Sequence, residues 1–298
     1  MRIFIAGGSG QVALSLQEAA KAKGLDYIAA GRPDFDLANL ANLESYIADH
    51  KPTAIINAAA YTAVDAAEDD ATTALAINAD GAGKLARIAH KMQVPFVHIS
   101  TDYVFGGLKK TPYTEKDPVR PTGVYGHSKL AGEIAVKAEN TKAVILRTAW
   151  VYSPFGKNFL KTMLNLAKTK DTLGVVSDQL GNPTYAADIA AACLHVLDVL
   201  TSGEPDKKHA GVFHLAGTGS TSWHGFAAEI FKEAAKYGHP VPTLNPLTTA
   251  EYPTKAKRPA NSRLNCDKFE KTYGFTMPSW QDSTAHCIKR LFEEGLLG

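Results

Sequence analysis

The sequence predicts an α/β fold: a Rossmann-like, doubly wound parallel sheet with a smaller C-terminal substrate-binding domain. Short apolar runs alternate with helical stretches of ten or more residues, a pattern typical of a parallel sheet covered by helices on both faces. A glycine-rich turn follows the first run, and the alternation stops after Trp150. We therefore expect a Rossmann domain over residues 1–150 and a mainly substrate-binding domain over residues 151–298.

Five apolar runs are the predicted strands of this sheet. Each is short, rich in β-branched or other apolar residues, and bounded by glycine, proline or polar residues. They cover residues 2–6, 26–31, 54–59, 95–100 and 143–150. The helices between them are expected at residues 11–24, 39–51 and 74–92, with a fourth that Tyr125 opens. The connections should be right-handed crossovers.

After the fifth strand, the regular alternation of strands and helices ends. Amphipathic periodicity predicts helices at residues 158–170 and 187–200, with a strand and a turn at 173–186 between them. The apolar run at residues 212–217 is expected to return to the sheet. The proline-rich residues 240–264 predict an irregular segment, and because aromatic and aliphatic residues punctuate it, we expect it to line a site.

Composition excludes several classes of protein. The 298 residues carry 32 basic and 30 acidic side chains without a long basic run, so we expect no nucleic-acid partner. No stretch approaches 18 apolar residues, so we expect no membrane span. The three cysteines have neither disulfide-framework nor zinc-ligand spacing, and this usage predicts a protein of the reducing cytoplasm.

The first turn, GGSGQVA, predicts a dinucleotide site. Gly7 and Gly10 permit a tight turn and the close approach of a pyrophosphate, and Ala13 permits close helix packing. Gln11 and Val12 open the helix, whose N-terminus attracts phosphate. A purely structural glycine turn is the alternative. The position, as the first turn of an alternating α/β pattern, favours the dinucleotide.

The end of the second strand indicates which dinucleotide binds. An acidic residue there would bind the adenosine ribose, whereas an arginine would pair with a 2′-phosphate. Arg32 comes first and no acid lies at the strand tip, which favours NADPH. There are two alternatives: Arg32 only caps a loop, or the protein uses both cofactors. Asp36 and Leu37 follow and are expected against the adenine.

The ends of the third and fourth strands supply further candidates. Three alanines follow the third strand: Ala58, Ala59 and Ala60. Their small size would let a flat cofactor lie across the strand ends, with ordinary tight packing as the alternative. Ligands of open α/β sheets bind at the carboxyl ends of the strands. Thr101, followed by Asp102 and Tyr103, lies at such an end, where chemistry is expected.

Tyr125 and Lys129 are four positions apart in the predicted helix, and therefore lie on one face about one turn apart. Such a pair also occurs by chance on surface helices. Together with the Thr101 hydroxyl, however, it completes the set needed to reduce a ketone with a nicotinamide, since an acid must protonate the oxygen that hydride transfer leaves charged. We expect Lys129 to lower the pKa of Tyr125 and to contact the nicotinamide ribose, and Thr101 to hydrogen-bond the substrate oxygen.

Eight motifs carry a resemblance to a known family. They are, in order between residues 7 and 264, GGSGQV, NAAAYTAVDAAE, STDYVF, YGHSKLAGE, RTAWVY, NFLKTM, DQLGNPT and RPANSRL. The chain resembles the extended short-chain dehydrogenase/reductase superfamily and, within it, the dTDP-4-dehydrorhamnose reductase family. The resemblance implies an oxidoreductase of nucleotide-sugar and cell-surface polysaccharide biosynthesis, in which NADPH or NADH delivers hydride to C4 of dTDP-4-dehydro-β-L-rhamnose.

The resemblance also implies roles for individual residues. The catalytic set would be Thr101, Tyr125 and Lys129. The cofactor would be lined by Ala60, Tyr61 and Thr62. Trp150, which core packing alone could explain, would pack on the deoxysugar ring, near Asp102 and Tyr103. Asn158 and Arg258 are candidates for the nucleotide diphosphate, because an arginine fork suits phosphate oxygens, with a solvated surface as the alternative.

The sequence departs from the family in one respect. Some members are described as holding Mg²⁺ between subunits through glutamates on the first helix and on the helix after the DQ motif. The aligned positions here are Ser15 and Ala187, and the nearby Glu18 and Asp188 are displaced to other helix faces. We therefore expect no Mg²⁺, and a homodimer is left open.

Two other functions stay open. A nucleotide-sugar epimerase or dehydratase, or a reductase acting on another 4-keto-6-deoxy sugar, would share the glycine turn and the Tyr–Lys pair. A dehydratase would be expected to have a glutamate after Asp102, and none follows. A non-catalytic NADP-binding regulatory subunit, similar to the beta subunit of methionine adenosyltransferase, is the other alternative. The intact Thr101, Tyr125 and Lys129 argue against it.

Overall fold

A six-stranded parallel sheet forms the centre of the protein. The computed structural model describes residues 1–203 and 207–297. The strands are β1 (Arg2–Ala6), β2 (Asp26–Ala30), β3 (Ala54–Asn57), β4 (Phe96–Thr101), β5 (Val144–Thr148) and β10 (Gly211–His214). Their order across the sheet is β2-β1-β3-β4-β5-β10. The order reverses between β1 and β3, and open sheets of this type bind ligands at such a switch point.

Helices cover both faces of the sheet. One face carries α1 (Gln11–Ala22), α8 (Ala186–Thr201) and α10 (Asp267–Tyr273). The other carries α2 (Leu43–His50), α5 (Ala82–Met92) and α6 (Val124–Glu139). Successive side chains of a strand alternate between these layers, so that Ile3 and Ile5 pack on the first face and Phe4 on the second. The doubly wound architecture is as predicted.

Two predicted strands end early for physical reasons. The expected strand at 54–59 stops at Asn57, whose side-chain oxygen accepts a hydrogen bond from the Ala59 N–H (3.1 Å) and turns the chain out of the sheet. The expected strand at 143–150 stops at Thr148, because Trp150 has a left-handed backbone with φ of 45°. Both departures occur at the carboxyl edge, where the chain must leave the sheet to form a ligand site.

The predicted helix at 74–92 is interrupted. The chain after β3 forms α3 (Val64–Ala67), α4 (Ala71–Leu75), a π-helical turn (Ala76–Gly81) and only then α5. Within the π turn, the buried Asn78 side chain accepts from the Tyr61 N–H (2.8 Å) and donates to the Tyr61 carbonyl (3.1 Å) and to Ser128 Oγ (2.9 Å). The extra backbone residue of a π turn thus lets Asn78 hold the loop after β3 against α6.

A second packing unit stands beyond the carboxyl edge of the sheet. Its helices are α7 (Phe159–Ala167), α9 (Trp223–Ala235) and α11 (Trp280–Glu293). Its strands are β6 (Val151–Tyr152), β7 (Thr172–Val176), β8 (Leu180–Gly181), β9 (Thr184–Tyr185), β11 (Thr221–Ser222) and β12 (Thr243–Leu247). They pair as β6–β9, β7–β12 and β8–β11. Buried Tyr152, Leu160, Phe226 and Leu291 belong to its core.

The C-terminal half of the chain contributes to both units. β10 pairs in parallel with β5, placing His214 opposite Arg147, while α8 and α10 pack on the first face of the sheet. The segment 240–264 is less irregular than expected, because β12 within it pairs in register with β7. Among the described residues, no helix has the length and apolar character that a membrane span requires.

Candidate active site

A deep cleft lies between the carboxyl edge of the sheet and the second unit. Its volume is about 1180 Å³, and side chains from both units line it. The predicted site residues along its wall are Gly7, Gly10, Gln11, Val12, Arg32, Asp36, Leu37, Ala58, Ala59, Ala60, Thr62, Thr101, Asp102, Tyr103, Tyr125, Lys129, Trp150, Asn158 and Arg258. Candidates drawn from eight separate parts of the sequence therefore line one cavity.

The glycine turn forms one end of the cleft. Gly7 has a φ of 106°, and a Cβ there would lie 2.9 Å from the Ala59 N, so a side chain is excluded by both conformation and space. Gly10 precedes α1 and supplies no side-chain cap to its first N–H groups. Those amides are the groups that a phosphate would satisfy. The turn therefore fits the pyrophosphate of a dinucleotide.

The end of β2 lies beside this turn. A Cβ on Gly31 would come within 2.9 Å of the Gly8 N, which shows how closely the two loops approach. Arg32 follows, exposed and lining the cleft. Leu37 is buried, and Asp36 accepts a hydrogen bond from the Ala38 N–H at 2.9 Å. Arg32 thus lines the same cleft as the glycine turn, directly after the residue that packs against it.

Tyr61 is placed differently from the other predicted cofactor residues. Ala58, Ala59, Ala60 and Thr62 line the cleft, but Tyr61 is not among the lining residues. Its ring packs in a cluster with Tyr125 and neighbouring alanines, and Asn78 holds its backbone. Tyr61 therefore packs in the cluster that contains Tyr125, and its contact with a cofactor stays a prediction.

Thr101, Tyr125 and Lys129 meet where β4 ends against α6. Thr101 is the last residue of β4, and its hydroxyl donates to Asp102 Oδ1 at 2.9 Å. Tyr125 and Lys129 are buried on successive turns of α6 and both line the cleft. The Lys129 ammonium donates to the Ile99 carbonyl at 2.7 Å, which fixes the long side chain along β4. A hydroxyl, a phenol and an ammonium therefore line the same cleft, and the phenol and the hydroxyl are hydrogen-bonded to each other.

The electrostatics of the phenol differ from the sequence-based expectation. Burial raises the pKa of Tyr125, and a hydrogen bond with Thr101 opposes this only in part. Burial also lowers the pKa of Lys129 to about 8, opposed by the Glu133 carboxylate. The prediction that Lys129 lowers the pKa of Tyr125 is therefore wrong for this structure. Removal of the phenolate from water is the largest cause of the raised pKa, and the neighbouring Asp102 and Tyr103 act in the same direction.

A buried ion pair behind the site was not predicted. Glu133, one turn beyond Lys129 on α6, accepts from Arg147 Nε (2.8 Å), Arg147 Nη2 (2.7 Å) and Ser100 Oγ (2.7 Å). The Glu133 and Arg147 side chains are 1% and 4% exposed. The pair ties α6 to β4 and β5 and so fixes the helix that carries Tyr125. The continuation of the four-residue spacing to Glu133 was the available signal.

Trp150 is part of a stacked indole pair. Its ring lies 3.5 Å from that of Trp223, with 7° between the planes. A Cβ on Gly181 would come within 2.3 Å of the Trp150 ring, so only glycine fits there. Both tryptophans line the cleft. Trp150 thus forms an aromatic wall of the cleft together with Trp223, which the sequence analysis missed because no local pattern marks it.

The two diphosphate candidates differ in their freedom to bind a ligand. The Asn158 amide donates to Gln11 Oε1 (2.9 Å) and to the Ser153 carbonyl (2.8 Å), and its oxygen caps α7 by accepting from the Lys161 N–H (3.1 Å). Asn158 is thus occupied as a structural link between the glycine turn and α7. Arg258 donates through Nη2 to Asp65 Oδ2 at 3.0 Å, and its guanidinium also interacts with the Tyr103 hydroxyl.

The acidic side chains near the aligned metal positions bear on whether a metal could bind. Within residues 1–203 and 207–297 there is no group of three or more His, Cys, Asp or Glu side chains able to hold a metal ion. Glu18 pairs with Arg290 of α11, and Asp188 accepts from Ser283 at 2.5 Å. Both acidic side chains near the aligned metal positions are therefore engaged within the chain.

Several known proteins are similar to this chain. The family model described as RmlD substrate binding domain matches residues 1–293. The dTDP-4-dehydrorhamnose reductase of Sinorhizobium fredii is 46% identical over 296 residues, 99% of each chain. A crystal structure of a dTDP-4-dehydrorhamnose reductase from Clostridium acetobutylicum has a TM-score of 0.90 at 41% identity, covering 98% of this chain and 99% of that one. The Bacillus anthracis reductase of the same name, in complex with NADP, has a TM-score of 0.89 at 34% identity, covering 97% and 99%.

Proposed function

The chain belongs to the RmlD family of dTDP-4-dehydrorhamnose reductases, and from this premise we propose that it catalyses the NADPH-dependent reduction of dTDP-4-dehydro-β-L-rhamnose to dTDP-β-L-rhamnose. The observation that carries the proposal is the convergence of Thr101, Tyr125 and Lys129 in a cleft that begins at a phosphate-binding glycine turn. NADH remains a second donor to be tested against NADPH. The free, buried or half-buried cysteines are in keeping with work in a reducing cytoplasm.

The cleft fits a nicotinamide dinucleotide along the sheet edge. The uncapped N–H groups at the start of α1 and the side-chain-free Gly7 suit the pyrophosphate, and Arg32 suits a 2′-phosphate. When bound, NADPH supplies the hydride. Lys129, fixed by the Ile99 carbonyl, would hold the ribose at the nicotinamide end.

The protein's own residues complete the reduction. On substrate binding the Thr101 hydroxyl would turn its proton from Asp102 to the C4 oxygen of the sugar and so orient that oxygen. The Tyr125 phenol donates its proton to the same oxygen as charge develops there. This phenol is protonated near neutrality, the state that a proton donor requires, and burial raises its pKa further. The burial of Tyr125 and Lys129 also keeps water from the reacting oxygen.

The second unit, mainly within residues 151–298, would bind the nucleotide part of the substrate. Apolar side chains of α7 and β7 line that end of the cleft, among them Met163, Leu166 and Val175. Trp150 and Trp223 form a stacked wall near the sugar position, and Arg258 faces the region between. This layout matches a molecule with a base, a diphosphate and a sugar in line.

The test is turnover of the Tyr125→Phe variant. The full-length chain is incubated with dTDP-4-dehydrorhamnose and NADPH or NADH, and nicotinamide absorbance is followed. We expect net consumption of the cofactor, which an epimerase would not give. We expect Tyr125→Phe to lose about 10²–10⁴-fold in kcat while its affinity for NADPH is retained.

Tyr113→Phe is the matched control. Tyr113 is equally buried but stands outside the cleft, where its hydroxyl accepts from the Lys109 N–H at 3.2 Å. This variant should turn over at the wild-type rate. Near wild-type kcat in Tyr125→Phe would overturn the assignment of Tyr125 as the acid, and absence of cofactor consumption by the wild-type protein would overturn the proposed reaction.

A further inference from the structure

We infer that Asp65 is a positioning residue for substrate binding: it holds Arg258 over the cleft so that the guanidinium can bind the diphosphate of the sugar nucleotide. The inference rests on the proposed function, since it requires a nucleoside-diphosphate substrate. Asp65 lies on α3, directly after the loop that follows β3. Neither the glycine turn nor the catalytic set involves it.

The Asp65 carboxylate makes two bonds to one short stretch of chain. Oδ1 accepts from the Ala256 N–H at 3.0 Å, and Oδ2 accepts from Arg258 Nη2 at 3.0 Å. One bond fixes the backbone and the other fixes the side chain two residues later. The guanidinium therefore cannot swing away from the cleft without losing a charge-assisted hydrogen bond.

The stretch that Asp65 fixes crosses from one unit to the other; we name residues 248–260 the crossing segment. At its first end, the Asp178 carboxylate accepts from the Thr249 N–H (2.9 Å) and hydroxyl (2.7 Å). At its other end, Lys255 pairs with Asp69, and Arg258 pairs with Asp65. Acidic residues of both units thus hold this segment along the cleft, which Tyr252, Thr254 and Arg258 line.

Arg258 retains an unused donor. Its Nε is buried and has no hydrogen-bond partner among the described residues. A buried guanidinium nitrogen without an acceptor is costly, and such groups are usually satisfied by a ligand or by an ordered water. A planar fork with one arm held by a carboxylate and an unpartnered Nε matches phosphate oxygens well.

Asp65 also has an opposing effect that must be weighed. Its negative charge repels a diphosphate. The Asp65 and Arg258 side chains are 46% and 29% exposed, however, so solvent screens that repulsion. An arginine released from its anchor regains the rotamer freedom of a long side chain, and binding would have to remove that freedom again. We therefore expect the ordering effect to dominate, so that loss of Asp65 weakens diphosphate binding.

The experiment measures the affinity gained from the two phosphates. Thymidine and dTDP are titrated calorimetrically into the full-length protein saturated with NADP⁺. We expect Asp65→Ala to weaken dTDP binding about tenfold, the size of one charge-assisted hydrogen bond, without changing thymidine binding. Asp65→Asn keeps an acceptor for the Ala256 N–H but loses the ion pair, and should give most of the same loss. The double variant Asp65→Ala, Arg258→Ala should bind dTDP no more weakly than Arg258→Ala alone.

Asp69→Ala is the matched control, because Asp69 anchors Lys255 of the same segment without touching Arg258. It should leave both affinities unchanged. Equal or tighter dTDP binding by Asp65→Ala, a loss equal to that of Asp69→Ala, or a loss additive with Arg258→Ala would each overturn the inference. Wild-type protein that binds neither ligand would overturn the proposed function together with it. Unchanged thymidine binding shows that the variants are folded.

Discussion

Asp102 offers a quantitative test of the site's electrostatics. It directly follows Thr101, is 2% exposed and accepts the Thr101 hydroxyl on Oδ1. Interactions with Thr101 and Ser262 lower its pKa, but they oppose the effect of burial only in part. Burial raises the pKa of this carboxyl from 3.8 to about 6. The ionised form is therefore costly in the folded protein, and the change Asp102→Asn should stabilise the fold at neutral pH.

The direction and size of the effect of Asp102 on folding stability follow from proton linkage. Because the folded-state pKa of Asp102 lies above the unfolded value, the folded state binds the proton more tightly between pH 3.8 and about 6, and stability falls as pH rises through this window. A difference of one in pKa corresponds to about 1.4 kcal/mol, so the full cost above pH 6 is about 3 kcal/mol. At pH 5 only about half of it, roughly 1.5 kcal/mol, has developed.

The assay is urea unfolding of wild type and Asp102→Asn at several pH values from 5 to 8. The asparagine brings two N–H groups that need acceptors, which reduces the absolute gain. This cost does not depend on pH, so the measured quantity is the change in the stability difference with pH. We expect the advantage of Asp102→Asn to grow by about 1.5 kcal/mol between pH 5 and pH 8.

Asp117 provides a control, because its pKa is shifted in the opposite direction to that of Asp102. Its carboxylate accepts from Lys109 and from the Thr114 N–H and hydroxyl, and these bonds lower its pKa to about 2. That stabilisation is present above pH 3.8 and is lost only as pH falls through about 2, so Asp117→Asn should lose stability by an amount constant from pH 5 to pH 8. An advantage of Asp102→Asn that stays flat over the same range would refute the raised pKa.

Three further predictions concern the cofactor, the scaffold and the pH profile. Arg32→Ala should lower the preference for NADPH over NADH; an unchanged ratio of kcat/KM values would show that the 2′-phosphate is bound elsewhere. Glu133→Gln should cost about 3–5 kcal/mol in urea unfolding, because it leaves Arg147 buried without its partner, whereas Glu139→Gln in the exposed pair with Arg87 should change little. The kcat/KM for reduction should decline as pH rises through about 8, where Lys129 loses its charge; a flat profile to pH 9 would contradict an essential ammonium.

The sheet was predictable because its signal is local. Strands buried on both faces must be continuous apolar runs, so β1 and β4 stand out in the sequence. β12 does not, because it is largely exposed, contains Pro246 and is a strand only through its pairing with β7. The π turn was hidden for a similar reason: its periodicity is close to helical, and only the contacts of Asn78 with the loop after β3 require the extra residue.

The same difference between local and long-range contacts separates the site residues that the sequence could predict from those that it could not. Tyr125 and Lys129 could be paired from sequence because helix geometry alone brings positions four apart together. Asp65 and Arg258 are separated by 193 positions, and the stacking of Trp150 on Trp223 depends on two elements from different parts of the chain. No spacing rule relates such residues. These residues come into contact only in the folded protein, in which the crossing segment and the second unit lie next to the sheet.

The pKa of Tyr125 shows how burial can reverse a conclusion that spacing alone supports. A phenol beside an ammonium in water would be acidified, and such a phenol would be partly ionised, as suits a base. Here burial raises the pKa of Tyr125 and lowers that of Lys129 to about 8, so that near neutrality the phenol keeps its proton while the lysine keeps most of its charge. That combination suits donation of a proton to a ketone oxygen, the direction of reduction. We therefore attribute the expected alkaline decline in kcat/KM to Lys129, because Tyr125 stays protonated well beyond pH 8.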